Sequence, residues 1–105
     1  EAPDECGHHG DTEKKIYSIE QIDGVVRTVC ERLNEAGEDY ALLLLPDHPT
    51  PIALKTHVSD PVPFLLYRST EKRGNGATAY DETQAKQTGY FVPQGHELIK
   101  LLFQQ

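Results

Sequence analysis

Residues 40–51 constrain the fold of this chain more than any other stretch. An unbroken apolar run, Tyr40 to Leu45, is followed by Pro46-Asp47-His48-Pro49-Thr50-Pro51. The run is strand-sized and does not alternate, which suits a strand buried on both faces. Three prolines in six residues then exclude a regular helix or a central strand, because each fixes φ and lacks a backbone donor. The chain must therefore pass from a buried strand straight into a stiff, irregular loop. That loop opens on a carboxylate beside an imidazole. A decorative charged pair is poorly placed at the end of so apolar a strand, and flanking prolines supply the rigidity a preorganised site requires.

The other elements follow from pattern. Ile16, Ile19, Ile22, Val26, Val29 and Leu33 recur at three- and four-residue steps, so residues 12–36 are expected to form a helix with one core-facing stripe. Asp11 is its N-cap, Glu13 suits its first turn and Gly37 its end. Gly24 lies inside it and costs about 1 kcal/mol against alanine. Cys30, beside the stripe, is expected in the core. Residues 1–10 read as a polar loop following a strand that starts upstream. Residues 52–60 continue the irregular loop, and residues 62–67 read as a second buried strand. An exposed loop is expected over 69–79, a short helix over 81–88 ended by Gly89, and an amphipathic helix over 95–103. This order points to an α/β layer with an at least partly parallel sheet. In such sheets functional loops leave the carboxyl ends of strands, near Pro3 and Pro46 here.

Size and charge remove several classes of function. A chain of 105 residues suits one domain. Ten basic against 17 acidic side chains leave a net charge of −7, the opposite of a nucleic-acid-binding stripe. No apolar run approaches the roughly 18–20 residues of a membrane span. The acidic start is no signal peptide, and with no Met anywhere the chain is expected to begin inside a longer polypeptide. Two cysteines make no disulfide framework, so a cytoplasmic setting is the default. No Walker loop, no G-x-G-x-x-G and no Ser-His-Asp or Cys-His set stands out.

Three clusters hold four of the five histidines: Asp4-Glu5-Cys6-Gly7-His8-His9, Asp47-His48, and Thr56-His57-Val58-Ser59-Asp60. Neutral imidazole and carboxylate are common ligands of Zn²⁺ and Mn²⁺, and suit Mg²⁺ less. Taken alone, Asp4 and His8 fit a polar surface loop as well as a ligand pair, and a lone His57 is more often structural. His9 reads as an exposed neighbour, Cys6 as a small semi-buried residue, and His96 as a packing or hydrogen-bonding group near a helix start.

Four segments together, APDECGHHGD, KIYSIEQID, LLLLPDHPTPIALKTHVSDPVPF and GHELIKLLF, resemble the C-terminal part of cofactor-independent phosphoglycerate mutases of the archaeal type. Residues 68–90 match least clearly. Bacterial relatives of that type exist, some labelled homoserine kinases, although nothing here resembles an ATP site. The resemblance implies a glycolytic isomerase of the alkaline-phosphatase superfamily, and a piece of its three-layer α/β/α domain with a mostly parallel sheet. It implies two divalent metal ions, Mn or Zn, with Asp4, His8 and His57 on one and Asp47 and His48 on the other. Through a phosphoserine intermediate, such an enzyme interconverts 2- and 3-phosphoglycerate, a phosphorylated small-molecule substrate. Its serine, one further Asp ligand and the inserted domain that closes over substrate would lie outside residues 1–105. Ser18, Ser59 and Ser69 stand in the wrong contexts for that serine. The chain would then be the C-terminal metal-binding portion, inactive alone, with no catalytic residue of its own and neither nucleic acid nor membrane as partner. Its uncovered sheet edge would favour self-association. The alternatives are another phosphotransferase or phosphatase of that superfamily, or a non-catalytic metal-binding domain.

Overall fold

A computed structural model describes residues 1–71 and 74–103. Lys72 and Arg73, within the expected 69–79 loop, lie outside the described residues. The chain divides into two compact units, one of Glu1–Glu38 with Asp47–Pro61, the other of Asp39–Pro46 with Val62–Gln105.

The first unit begins with helix α1 (Ala2–His9), where a polar loop was expected. Pro3 stands where its missing N–H costs nothing, Asp4 and Glu5 occupy the first turn, and His8 and His9 the last. Gly10, at φ 67°, ends the helix, and the Asp11 N–H reaches back to the Cys6 carbonyl at 2.9 Å. The Asp11 side chain then caps helix α2 (Thr12–Glu35), accepting from the Lys14 N–H at 3.0 Å. At the far end Gly37 adopts φ 70°, and the Glu38 N–H bonds the Leu33 carbonyl at 3.1 Å. Helix, cap and stop therefore fall where the sequence puts them.

The stripe of α2 is not a core. Ile16 is 54 % exposed and Ile19, Ile22 and Val29 are exposed with it, while Val26, Cys30 and Leu33 are half-buried. The physical reason is length. At 1.5 Å per residue α2 runs about 36 Å and α1 only about 12 Å. Within this unit α1 packs on α2 but cannot shield it all. The tightest packing in the unit is at Gly7 and Thr50, both buried. A Cβ on Gly7 would run into the Thr50 carbonyl oxygen and sit 2.9 Å from its Cγ2.

The second unit holds strands β1 (Ala41–Leu44) and β2 (Leu65–Arg68), paired Ala41 to Arg68 through Leu44 to Leu65. Their pairing is antiparallel, so these two strands do not form one of the parallel pairs of the at least partly parallel sheet expected from the element order. A parallel pair needs a crossover helix, and residues 45–64 contain none. Every β1 and β2 residue is half-buried rather than buried on both faces, as a two-stranded ribbon must leave it. Helix α3 (Glu82–Gln87) is capped by Asp81, whose carboxylate accepts from the Gln84 N–H at 2.7 Å. Gly89, at φ 73°, follows it. The expected last helix is divided into a 3-10 turn, Gly95–Glu97, and helix α4 (Ile99–Phe103). Buried Leu98 joins them, and the Arg68 guanidinium donates to the Leu101 and Leu102 carbonyls of α4. His96, in the 3-10 turn, is exposed. No helix among the described residues is long and apolar enough to cross a membrane.

The two helix-interior glycines should respond in opposite directions to alanine. A Cβ at Gly24 meets nothing within 4 Å, so Gly24→Ala should gain about 1 kcal/mol from helix propensity. Gly7→Ala has the same propensity gain, but the collision with Thr50 should outweigh it by about 1–3 kcal/mol. Denaturant unfolding of the two variants checks this. A stabilised Gly7→Ala would show that Thr50 does not lie where it is placed.

Candidate metal centre

Every metal-ligand candidate lies in the first unit, on α1 and on the loop that follows Pro46. Asp4 and His8 are four residues apart on α1, so they share a face. The proline-rich loop turns tightly, with the Lys55 N–H on the Pro51 carbonyl at 2.9 Å and the Val58 N–H on the Pro49 carbonyl at 3.2 Å. That turn carries His57 back onto the face of α1 that holds Asp4 and His8.

Three donor atoms converge there. His57 Nε2 is 3.1 Å from Asp4 Oδ1 and 3.0 Å from His8 Nε2, and His8 Nε2 is 3.4 Å from Asp4 Oδ1. With metal–ligand bonds of about 2.1 Å, ligand atoms lie about 3.4 Å apart in a tetrahedral shell and about 3.0 Å apart in an octahedral one. The triangle thus has the dimensions of one face of a coordination shell, built from one carboxylate oxygen and two imidazole nitrogens. That donor set suits Zn²⁺ or Mn²⁺. His48 lies against it, its ring centroid 3.6 Å from that of His57 with a 32° tilt. Asp4, His48 and His57 also present donor atoms within 4.8 Å of one another.

The surrounding hydrogen bonds decide which atoms carry lone pairs. His8 Nδ1 is 3.0 Å from the Lys55 carbonyl. A carbonyl can only accept, so Nδ1 holds the proton and Nε2 faces the triangle bare. Lys55 delivers that carbonyl from a left-handed backbone, φ 55°, an unfavourable place for a lysine. The Thr50 hydroxyl donates to Asp4 Oδ1 at 2.6 Å. This bond, above all, holds the Asp4 carboxyl below the usual carboxylate range; burial opposes the shift, and His8, His57 and His48 add to it. Lys15 Nζ in turn donates to the Thr50 carbonyl at 2.7 Å.

Of the five residues expected as ligands, Asp4, His8, His57 and His48 are thus brought together, with the first three in one triangle. Asp47 is placed differently. It is 85 % exposed, accepts from the His48 N–H at 2.9 Å through Oδ1, and puts Oδ2 3.4 Å from His48 Nε2. His9 is exposed and Cys6 half-buried. Ser18 donates its hydroxyl to the Lys15 carbonyl at 2.8 Å, and Ser69 accepts from the Tyr40 N–H at 2.9 Å. Sequence reasoning passed over Thr50, Lys55, Lys15 and Gly7. None of the four carries a signal in the sequence that marks its role; Thr50 stands between Pro49 and Pro51, close after the Asp-His pair, but its hydroxyl gains a role only by reaching Asp4 in space.

Residues 1–103 match the family model described as Metalloenzyme superfamily. Among curated relatives, the 2,3-bisphosphoglycerate-independent phosphoglycerate mutase of Methanosarcina barkeri is 41% identical over 103 residues, which is 97% of this chain and 26% of that protein. The protein of the same name from Methanothrix thermoacetophila is 45% identical over 108 residues, with the same two coverages. A third, phosphoglycerate mutase 2 of Methanothermobacter thermautotrophicus, is 42% identical over 109 residues, 97% of this chain and 25% of its own length. The chain thus spans about a quarter of the length of the curated relatives it matches. No solved structure matches it. With the family model running over nearly all its residues, and the carboxylate–imidazole triangle lying inside that match, the chain belongs to the Metalloenzyme superfamily.

Proposed function

We propose that this chain is the C-terminal metal-binding portion of a phosphoglycerate mutase that interconverts 2- and 3-phosphoglycerate through a phosphoserine. The observation that carries the metal-binding half of this reading is the triangle of Asp4 Oδ1, His8 Nε2 and His57 Nε2, with sides of 3.0–3.4 Å. The mutase half rests on the relatives' names over 97% of the chain. A second ion beside Asp47 and His48, manganese or zinc as the native metals, the glycolytic role and a cytoplasmic setting belong to the same proposal. So does the complete three-layer α/β/α domain with a mostly parallel sheet, to which β1 and β2 would add one antiparallel pair. Self-association of the chain is part of it as well.

Divalent ions bound here would neutralise and orient the oxygens of a phosphoryl group. The chain's own residues set the charge and orientation of the site. Asp4 stays ionised because Thr50 donates to it. His8 turns a bare nitrogen inward because its Nδ1–H donates to the Lys55 carbonyl. His57 completes the triangle, and the His48 ring stacked on it places a second imidazole beside the first site. The nucleophile would come from outside these residues, since Ser18, Ser59 and Ser69 stand in the wrong sequence contexts for it; Ser18 donates its hydroxyl to the Lys15 carbonyl and Ser69 accepts from the Tyr40 N–H.

Two measurements test this. In the intact polypeptide that carries this sequence, His48→Ala should lower interconversion of 2- and 3-phosphoglycerate by at least about tenfold, or 1.4 kcal/mol in the transition state. Turnover near wild type would remove His48 from the site, and an inactive wild type would point to another phosphotransferase or a phosphatase. The second is zinc binding by calorimetry as pH falls. Ligating imidazoles must be neutral, so affinity is present above the ordinary imidazole pKa of about 6.5 and lost below it. Two such ligands should cost about thirtyfold between pH 6.5 and 5.5. Asp4 does not contribute in that window: its carboxyl is held below the usual range, so it loses its charge only in stronger acid. Affinity that does not change across the window would exclude imidazole ligands.

A further inference from the structure

We propose that Thr50 is a positioning residue that presets the tautomer of His48, leaving His48 Nε2 unprotonated toward Asp47. The assignment follows from counting protons. A hydroxyl has one hydrogen to donate and lone pairs with which to accept. Thr50 Oγ1 lies 2.6 Å from Asp4 Oδ1, and an ionised carboxylate oxygen only accepts, so the Thr50 hydrogen is committed to Asp4. His48 Nδ1 lies 3.3 Å from the same Oγ1. The oxygen has only lone pairs left for it, so Nδ1 must be the donor. A neutral imidazole carries a single N–H, and Nε2 is therefore bare.

That nitrogen stands 3.4 Å from Asp47 Oδ2, an oxygen that also offers only lone pairs. Two such atoms facing each other at this distance cannot bond to one another, but they suit a cation between them. Thr50 can act in this way because its own position is fixed. It is 5 % exposed, it packs beneath Gly7, and Lys15 Nζ holds its carbonyl at 2.7 Å. One hydroxyl thus serves both clusters, orienting Asp4 on α1 and His48 on the loop. Lys55 sets the tautomer of His8 by the same rule, but through its backbone carbonyl, beyond the reach of an ordinary substitution. The consequence for metal binding, unlike the tautomer itself, rests on the metal-centre reading above.

The test is a long-range ¹H–¹⁵N spectrum of the ion-free chain with ¹⁵N-labelled histidine, at about pH 7.5, above the ordinary imidazole pKa of about 6.5. His48 should show a protonated Nδ1 and a bare Nε2. Thr50→Ser, which keeps the hydroxyl, should leave that pattern in place. Thr50→Val, equal in shape and without the hydroxyl, should move His48 toward the Nε2–H form that free imidazole favours, while His8 keeps its Nδ1–H pattern. A wild-type His48 protonated at Nε2 would overturn the proposal whatever the variants do. So would a His48 pattern that Thr50→Val leaves unmoved. Should Thr50→Val fail to fold, the wild-type and Thr50→Ser spectra still decide. A zinc titration of the wild type separates the two readings. The expected tautomer in a chain that binds no zinc would overturn the metal centre and leave the role of Thr50 standing.

Discussion

The contact between Gly7 and Thr50 is what the candidate site depends on. With no side chain at position 7, the loop after Pro49 can lie directly against α1, close enough for the Thr50 hydroxyl to reach Asp4 at 2.6 Å. From that anchor the loop runs through the turn at Pro51, places the Lys55 carbonyl on His8, and brings His57 over the same face of the helix. Lys55 adopts a left-handed backbone in doing so. Strain of this kind persists only where the surroundings over-determine it, and it tends to accompany functional geometry. Prolines on either side of Thr50 reduce the freedom the loop would otherwise lose on folding.

Electrostatics and hydrogen bonding at the site reinforce one another. The Thr50 hydroxyl, above all, holds the Asp4 carboxylate ionised, and an imidazole whose outer nitrogen meets an acceptor, as His8 does, presents its inner nitrogen as a lone pair. No buried side-chain N or O among the described residues lacks a hydrogen-bond partner. Burial contributes little here, because among the described residues only Leu98, in the other unit, is a buried hydrophobic. The first unit is organised around polar contacts and helix caps more than around a core. That is an arrangement in which a bound ion would add a large share of the folding free energy.

How much of this the sequence revealed differs from residue to residue. Helix α2 was legible to within a residue, because Asp11 and Gly37 mark its ends and its apolar spacing is regular. The exposure of its stripe was not, since periodicity says which face is apolar and not what covers it. Helix α1 was missed: glycines and paired histidines in a short polar segment look like a loop, and only Pro3 and the first-turn acids argue otherwise. The strands were found but their direction was not, although the irregular loop expected between them already left no room for the crossover helix that a parallel pair needs. At the site, Asp4, His8, His48 and His57 could be picked out by residue type and by family resemblance. Thr50 and Lys55 could not, since a hydroxyl and a backbone carbonyl gain their roles only from three-dimensional approach. Asp47 was singled out as a ligand, and the geometry leaves it mostly in solvent, tied to its own neighbour.

X-ray absorption at the zinc edge of the zinc-loaded chain tests the central claim most directly, since it reads ligand type and distance together. The expected spectrum has only nitrogen and oxygen neighbours at about 2.0–2.2 Å, with the multiple scattering of at least two imidazoles. A sulfur shell at about 2.3 Å would mean that zinc had chosen a cysteine over the Asp4, His8 and His57 triangle, and would contradict the account.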